Sequence, residues 1–196
     1  MARSRPAAEQ IETERLLLRR WVPADEAAMM EINREPEVVR YLNRAVDVAA
    51  VGAFLAAAQA HWDRHGFGLY AVQRRSAPFG RALLGFTGIA FPGFLPQLAH
   101  RPELGWRLRS DAWGLGYATE AARAVRSEAL ERVGLEDLIS IIHPDNRRSE
   151  RVAEKLGMAV EMSVYNPVLR RDVNVWSLAA RAEGAPGAPL TRKKPS

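Results

Sequence analysis

The stretch Trp113-Gly114-Leu115-Gly116-Tyr117-Ala118 puts three small residues, Gly114, Gly116 and Ala118, at alternate positions, and helix-forming residues follow at once. A helix start leaves backbone N–H groups without intrahelical partners, and the aligned peptide dipoles add partial positive charge there. Together these attract phosphate, and glycine lets an oxygen approach the backbone because no Cβ intervenes. The spacing therefore suits a pyrophosphate cradle between a strand and a helix, or a plain glycine turn joining the two. The Gly-Lys-Ser/Thr ending of a nucleoside-triphosphate loop is absent, and so is the third glycine position of the dinucleotide fingerprint. Both of those ligand classes lose ground.

A second cluster lies in HPDNRRSERVAEKLGM, residues 143–158. Val152, Ala153 and Leu156 form the buried stripe of a helix, with Ser149 on that stripe and Asn146 one turn before it. Two polar groups at the mouth of a buried face can hydrogen-bond a ligand lying between neighbouring strands. Their structural alternatives are an N-cap for Asn146 and a hydroxyl bonded to its own helix for Ser149. Arg148, Arg151 and Lys155 form a separate row that meets either solvent or a phosphate.

These residues need a framework to position them. Residues 14–21 read as a strand, and Pro23 opens a short helix, a place where proline is tolerated. Residues 46–66 read as a long helix with Asp47 as N-cap and Gly66 as its stop. Strands follow at 68–75, 82–91 and 103–110, separated by Pro- and Gly-containing turns, with 92–102 expected to be a mobile loop. The helix at 117–134 carries Ala118, Ala121, Ala122, Val125 and Ala129 on one face, so it packs on the sheet with its N-terminus aimed past the strand end. A strand at 137–144, a helix at 146–157 and strands at 159–165 and 171–180 complete the pattern. Residues 1–10 and the basic, Pro/Gly-rich 181–196 are expected to be disordered. That leaves one domain over 11–180, of the α+β (mixed α/β) class, built on a single central sheet.

Composition narrows the function classes. The chain has 196 residues, 47% hydrophobic and 26% charged, which suits one soluble domain with a full core. It contains no cysteine, which removes disulfides, thiolate metal sites and a cysteine nucleophile, and four histidines argue against a histidine-rich metal site. No apolar run is long enough to cross a bilayer and the N-terminus lacks a signal-peptide core, so a cytoplasmic protein is expected. The net charge of +5 suggests an anionic partner. The basic residues are spread along the chain, as on a solvated surface, which speaks against nucleic acid.

ERLLLRRW, LGFTGIA, ELGWRL, WGLGYATEAA and HPDNRRSERVAEKLGM together resemble the GNAT superfamily of N-acetyltransferases. Within it they are most similar to the branch that acetylates the N-termini of ribosomal proteins. In order and spacing they cover residues 11–180. The resemblance implies a splayed mixed sheet of about six or seven strands, flanked by helices, holding acetyl-CoA in a V-shaped opening without a metal. The family's (Q/R)-x-x-G-x-(G/A) loop maps onto Trp113, Gly114, Leu115, Gly116, Tyr117 and Ala118, with Thr119 next. Trp113 replaces the polar first residue, so the contact would run through backbone. Trp106, Arg107 and Leu108 would pair with the pantetheine amides, and Asn146 would bond the pantetheine arm. Arg109, or Arg148 or Arg151, would meet the adenosine 3′-phosphate.

Glu103 is the first choice for a general base, acting through water, and a surface or structural carboxylate is its alternative. The tyrosine that many family members use as acid falls at Ala153. The resemblance then points to Ser149, with Tyr117 and Tyr165 as weaker choices. Trp62, Phe67, Phe91, Phe94 and Trp106 are candidates to line the acceptor pocket, or else ordinary core. The expected activity is acetyl transfer to a protein N-terminus or small-molecule amine by direct attack in a ternary complex. A non-catalytic acyl-CoA-binding module is the alternative. Look-alikes commonly pair through strand edges or helix faces, so a homodimer is also in view.

Overall fold

The computed structural model describes residues 5–42, 50–76 and 83–178. Eight strands form one sheet in the order β1-β2-β3-β4-β5-β6-β8-β7. They are β1 (Gln10–Glu12), β2 (Leu16–Arg19), β3 (Leu69–Arg74), β4 (Leu83–Ala90), β5 (Glu103–Leu108), β6 (Ile139–Ile142), β7 (Met158–Asn166) and β8 (Arg171–Leu178). The helices are α1 (Asp25–Arg34), α2 (Pro36–Val39), α3 (Val51–His65), α4 (Tyr117–Ser127) and α5 (Arg147–Lys155). The strand beyond the expected six or seven is β1. Its three residues are too few for a period-two pattern to register in the sequence. Ahead of it the chain is already tied down: the Ala7 N–H donates to the Gly66 carbonyl at 2.7 Å, and the Tyr70 hydroxyl donates to the Ala8 carbonyl at 2.7 Å.

Both faces of the sheet are covered. On one, Ala121, Ala122 and Val125 of α4 meet Leu16, Leu104 and Leu108. The two fully buried alanines leave no bulk between helix and sheet, which sets α4 close against β5. On the other, Met29 and Ile32 of α1 and Val51 and Ala58 of α3 pack on Ala71 and Phe86. The helix expected at 117–134 is α-helical to Ser127 and π-helical from Glu128 to Val133, and Gly134 ends it. Gly66 closes α3 as anticipated, whereas Asp47 lies outside the described residues. The segment 92–102 is anchored: Leu95 and Leu98 are buried against Ile139, Val173 and Val175.

Every pair of neighbouring strands is antiparallel except β5 and β6. That parallel pair has one registered position, Glu103 opposite Ile139, held by the Ile139 N–H on the Pro102 carbonyl at 2.9 Å. Beyond it, side chains replace the ladder. The Ser140 hydroxyl donates to the Leu104 carbonyl at 2.7 Å, and the Ile141 N–H donates to the Glu103 carboxylate. The strands diverge from there, and the opening between them is the splay that the sequence resemblance anticipates.

The root of the opening is fastened by Arg101, which is 7% exposed. Its guanidinium forks onto Glu161 of β7 at 3.0 and 2.8 Å and reaches Asp137, ahead of β6, at 2.5 Å. The same hydrogen bonds hold the Glu161 carboxyl below the usual carboxylate range. Arg101→Met should lower the unfolding free energy by about 2 kcal/mol in denaturant melts. Because the Glu161 pKa is depressed in the folded state, the ion pair stabilises above the unfolded carboxyl pKa and fades as acid protonates Glu161. The gap between wild type and variant should therefore narrow below about pH 4.

Candidate active site

The turn ahead of α4 is built from two left-handed glycines, Gly114 at φ +76° and Gly116 at φ +84°. L-residues with a Cβ are strained in that region. At Gly114 conformation alone demands glycine, since a Cβ there would meet nothing within 4 Å, whereas at Gly116 a Cβ would also crowd Arg15 Nη2 at 3.3 Å. Gly116 is the N-cap of α4 and no side chain caps the helix. The N–H groups of Tyr117, Ala118 and Thr119 therefore point out of the helix without partners among the described residues. Leu115 between the glycines is 53% exposed.

A clamp not anticipated from the sequence steadies this turn. Glu120, in the first turn of α4, accepts from the Thr13 hydroxyl at 2.6 Å, the Arg15 N–H at 3.0 Å and Arg15 Nε at 2.7 Å. Arg15 Nη1 then donates to the Leu115 carbonyl at 3.0 Å, and its guanidinium lies over the Tyr117 ring at 4.5 Å. Partial burial works to raise the Glu120 carboxyl, but these donors outweigh it and hold the group below its ordinary value. A carboxylate beside a phosphate-sized cradle would repel an anion; paired with Arg15, it aligns the turn instead.

Two adjoining cavities flank the opening. The first, about 540 Å³, is bounded by β5, the glycine turn, α5 and the segment after α2. Of the residues expected to bind a cofactor, Trp106, Arg107, Leu108, Trp113, Gly114, Gly116, Tyr117, Ala118, Thr119, Asn146, Ser149 and Arg151 line it. Arg148 and Lys155 line it too, so the basic row of α5 faces this cavity. Leu115 and Arg109 do not; Arg109 Nε is turned onto Asp111 at 2.6 Å. Trp113 donates its indole N–H to the Leu108 carbonyl at 2.8 Å, and its ring carries the Arg148 guanidinium at 4.7 Å. The tryptophan thus presents a cation where the family loop has a polar side chain.

The second cavity, about 440 Å³, lies on the side of Glu103 and His143. It shares Tyr41, Leu42, Trp106, Arg107, Asn146 and Ser149 with the first. Asn146 caps α5, its Oδ1 accepting from the Ser149 N–H at 3.2 Å, which leaves its amide N–H groups to donate. The Ser149 hydroxyl has no partner among the described residues. Glu103 is pushed up to about pH 7 by burial, against the pull of the Ile141 N–H. His143 was not anticipated; burial and the nearby Arg171 lower its pKa. Its ring stacks on Tyr41 at 5.0 Å, and Nδ1 accepts from the Asp145 N–H at 3.0 Å.

Three of the aromatic residues offered as pocket lining belong elsewhere. Trp62 and Phe67 are 4% and 7% exposed in the core. The Trp62 indole is committed to the Leu69 carbonyl at 3.1 Å. Phe91 stacks on Phe67 with ring centroids 5.9 Å apart. None of the three lines either cavity, because α3 packs over β3 and β4 rather than at the opening. Phe94 and Trp106 do line the second cavity. Tyr165 lines neither and is 58% exposed on β7.

Backbone phase along β5 separates two roles that the sequence reading merged. Arg109 N–H bonds the Leu84 carbonyl of β4, while the Leu104 carbonyl accepts from β6. Backbone polar groups alternate between the two edges of a strand. Those of Trp106 and Leu108 therefore face the opening, whereas those of Arg107 face β4.

Residues 15–159 match the acetyltransferase (GNAT) domain. The chain belongs to the GNAT acetyltransferase family. The Bacillus subtilis (strain 168) N-acetyltransferase YoaA, itself uncharacterized, is 26% identical over 88% of this chain and 98% of its own. The crystal structure of an acetyltransferase from Agrobacterium tumefaciens str. C58 is 28% identical, with a TM-score of 0.72 over 86% of this chain and 94% of that one. RimL, a ribosomal L7/L12 alpha-N-protein acetyltransferase solved with coenzyme A, shares the fold at a TM-score of 0.68, 15% identity and coverage of 86% and 97%. The GNAT membership read from the motifs is borne out, and with it acetyl-CoA-dependent N-acetyl transfer as the activity class. Among the described residues no helix is long and apolar enough to cross a membrane.

Gly116→Glu should weaken acetyl-CoA binding at least about tenfold in calorimetry, the worth of one charge-assisted hydrogen bond. A carboxylate at the cradle repels the diphosphate and the left-handed backbone is strained. Binding unaffected by this change would place the phosphates elsewhere.

Proposed function

We propose that the two cavities form one bisubstrate site, in which an amine attacks the acetyl group directly and Glu103 removes its proton. The observation that carries this reading is the Glu103 carboxyl on the wall of the second cavity at the point where β5 and β6 part, where burial pushes its pKa up to about 7. A general base is most effective when its pKa lies near the working pH. At neutral pH about half of the Glu103 population is ionised and able to take a proton.

The chain's residues fit the cosubstrate. Free N–H groups at Tyr117, Ala118 and Thr119 suit a diphosphate, and Arg148, Arg151 and Lys155 add positive charge around it. The opening leaves Trp106 backbone groups without a strand partner, as an extended amide-bearing arm would require. The amide N–H groups of Asn146 can donate to that arm. Acetyl-CoA supplies an activated thioester. The new C–N bond forms as the C–S bond breaks, the amine proton passes to Glu103, and the Ser149 hydroxyl donates a hydrogen bond to the departing thiolate, which takes its proton from water. Most of the acceleration then comes from holding amine and carbonyl in attack geometry.

The likeness to RimL in fold and the family's amine chemistry support a protein N-terminus or a small amine as acceptor, in a cytoplasmic setting. Calorimetry for acetyl-CoA and thiol release across an amine panel test the reading; tight binding without turnover on any amine would instead favour a non-catalytic acyl-CoA-binding module. The rate should rise with pH through about 7 as Glu103 ionises. Glu103→Gln should lower kcat about a hundredfold and remove that limb. A variant that keeps both rate and profile would take the base role away from Glu103.

A further inference from the structure

Arg107 has a side chain that the transfer chemistry leaves unemployed. Its backbone is committed to β4, and its guanidinium lies on the face of β5 shared with Glu103 and Gly105. Nη1 donates to Asn33 Oδ1 at 2.9 Å, and the group sits over the Phe86 ring at 5.1 Å. Asn33, 5% exposed on α1, fixes the guanidinium in place. No carboxylate pairs with Arg107 among the described residues. Four of its five N–H donors therefore remain for something else. The group is half-buried, so an anion brought to it would meet a charge only partly screened by water. Burial alone lowers the Arg107 pKa to about 10, which leaves it fully charged at neutral pH.

The cosubstrate does not need this cation. The pantetheine arm is uncharged, and the phosphates are served by the glycine turn and the α5 row. Arg107 stands where the two cavities meet, and the second extends from it toward Glu103. Between Glu103 and Arg107 stands Gly105, where a Cβ would meet nothing within 4 Å. Four steps along the strand separate the two charged residues, about 13 Å between Cα atoms, with open floor between. Leu69, Phe86 and Phe94 supply apolar walls to this cavity.

The geometry points to a small acceptor carrying both an amine and a carboxylate on an apolar body, with its carboxylate read by Arg107 and its amine presented toward Glu103. This inference rests on the acetyl-transfer reading and adds the acceptor class to it. A planar guanidinium matches a carboxylate with two parallel hydrogen bonds, which an ester, an amide or a plain amine cannot accept as an anion does.

The test uses the full chain with saturating acetyl-CoA. Aromatic and aliphatic amino acids are compared with their methyl esters and with the corresponding decarboxylated amines, alongside short peptides with neutral or acidic N-termini. The acids should exceed their uncharged counterparts in kcat/KM by about tenfold to a hundredfold, the worth of a charge-assisted hydrogen bond. Arg107→Gln should erase that preference through KM for the acid. The dissociation constant for acetyl-CoA should move by less than about threefold, well short of the loss of one such bond. If Arg107→Gln does not fold, Arg107→Lys, which keeps the charge and loses the fork, should show the same rise in KM for the acid. Equal turnover of acids and esters overturns the inference. So does a preference for acidic peptides over every small amino acid, or a loss of acetyl-CoA affinity in the Arg107 variants that matches the loss of acceptor. Absence of both acetyl-CoA binding and thiol release with any amine would instead sink the acetyl-transfer reading itself.

Discussion

Everything the site does depends on a ladder that stops. β5 and β6 share one registered pair, Glu103 with Ile139, and then separate because side chains occupy the positions where backbone would have met backbone. Ser140 takes the Leu104 carbonyl and Glu103 takes the Ile141 N–H. A parallel pair carried further would close the sheet and leave neither cavity. Held apart, the strands expose an edge of β5 in the middle of a sheet without exposing it to bulk solvent on both sides. An unpaired edge is ordinarily a liability; here it borders a cavity between α4 and α5. The same parting half-buries Glu103, so one local arrangement produces both the slot and the carboxyl whose pKa burial raises to about 7.

The glycine turn is the second constraint, and its energetics are electrostatic. Two left-handed glycines on either side of Leu115 aim several N–H groups into one concavity, where no side chain among the described residues competes for them. Such a turn is easily deformed, and the clamp from β2 to α4 prevents that. Arg15 bridges the Glu120 carboxylate and the Leu115 carbonyl, so the turn is fixed from behind while its front stays empty. The negative charge of Glu120 at a helix N-terminus is favourable to the helix. Arg15 keeps that charge from opposing an incoming phosphate. Trp113 adds a further element. Placed where a polar side chain would reach the ligand, it instead stacks under Arg148 and brings a cation from α5 to the same mouth.

The parts legible in the sequence were those with a strong local signature. Gly114 and Gly116 before an amphipathic helix, and Asn146 and Ser149 ahead of a buried stripe, can be recognised from spacing, and the structure brings them to one cavity. Seven strands and the main helices follow from hydrophobic period. What escaped was determined by distant contacts. Arg15 and Glu120 are 105 positions apart, and nothing in either neighbourhood announces the other. Tyr41 and His143 meet across the opening only because α2 is folded over it. Trp62, Phe67 and Phe91 looked equally suited to a pocket and a core. Only the placement of α3 over β3 and β4 decides between them. The 92–102 segment looked loose from its prolines, yet Leu95 and Leu98 bind it to the sheet.

Phase along β5 supplies the last link between architecture and specificity. In a strand the direction of backbone groups and the face of the side chain both alternate, so consecutive residues cannot do the same job. Trp106 turns its backbone toward the opening, where on the proposed reading the pantetheine arm would lie, while the Leu108 carbonyl accepts from the Trp113 indole N–H. Glu103, Gly105 and Arg107 spend their backbones on β4 and project onto the other face, where identity matters. On the proposed reading, substitutions at the odd positions would act on the acceptor side of the site. On that reading a six-residue strand would carry the acetyl donor on one edge and the choice of acceptor on one face.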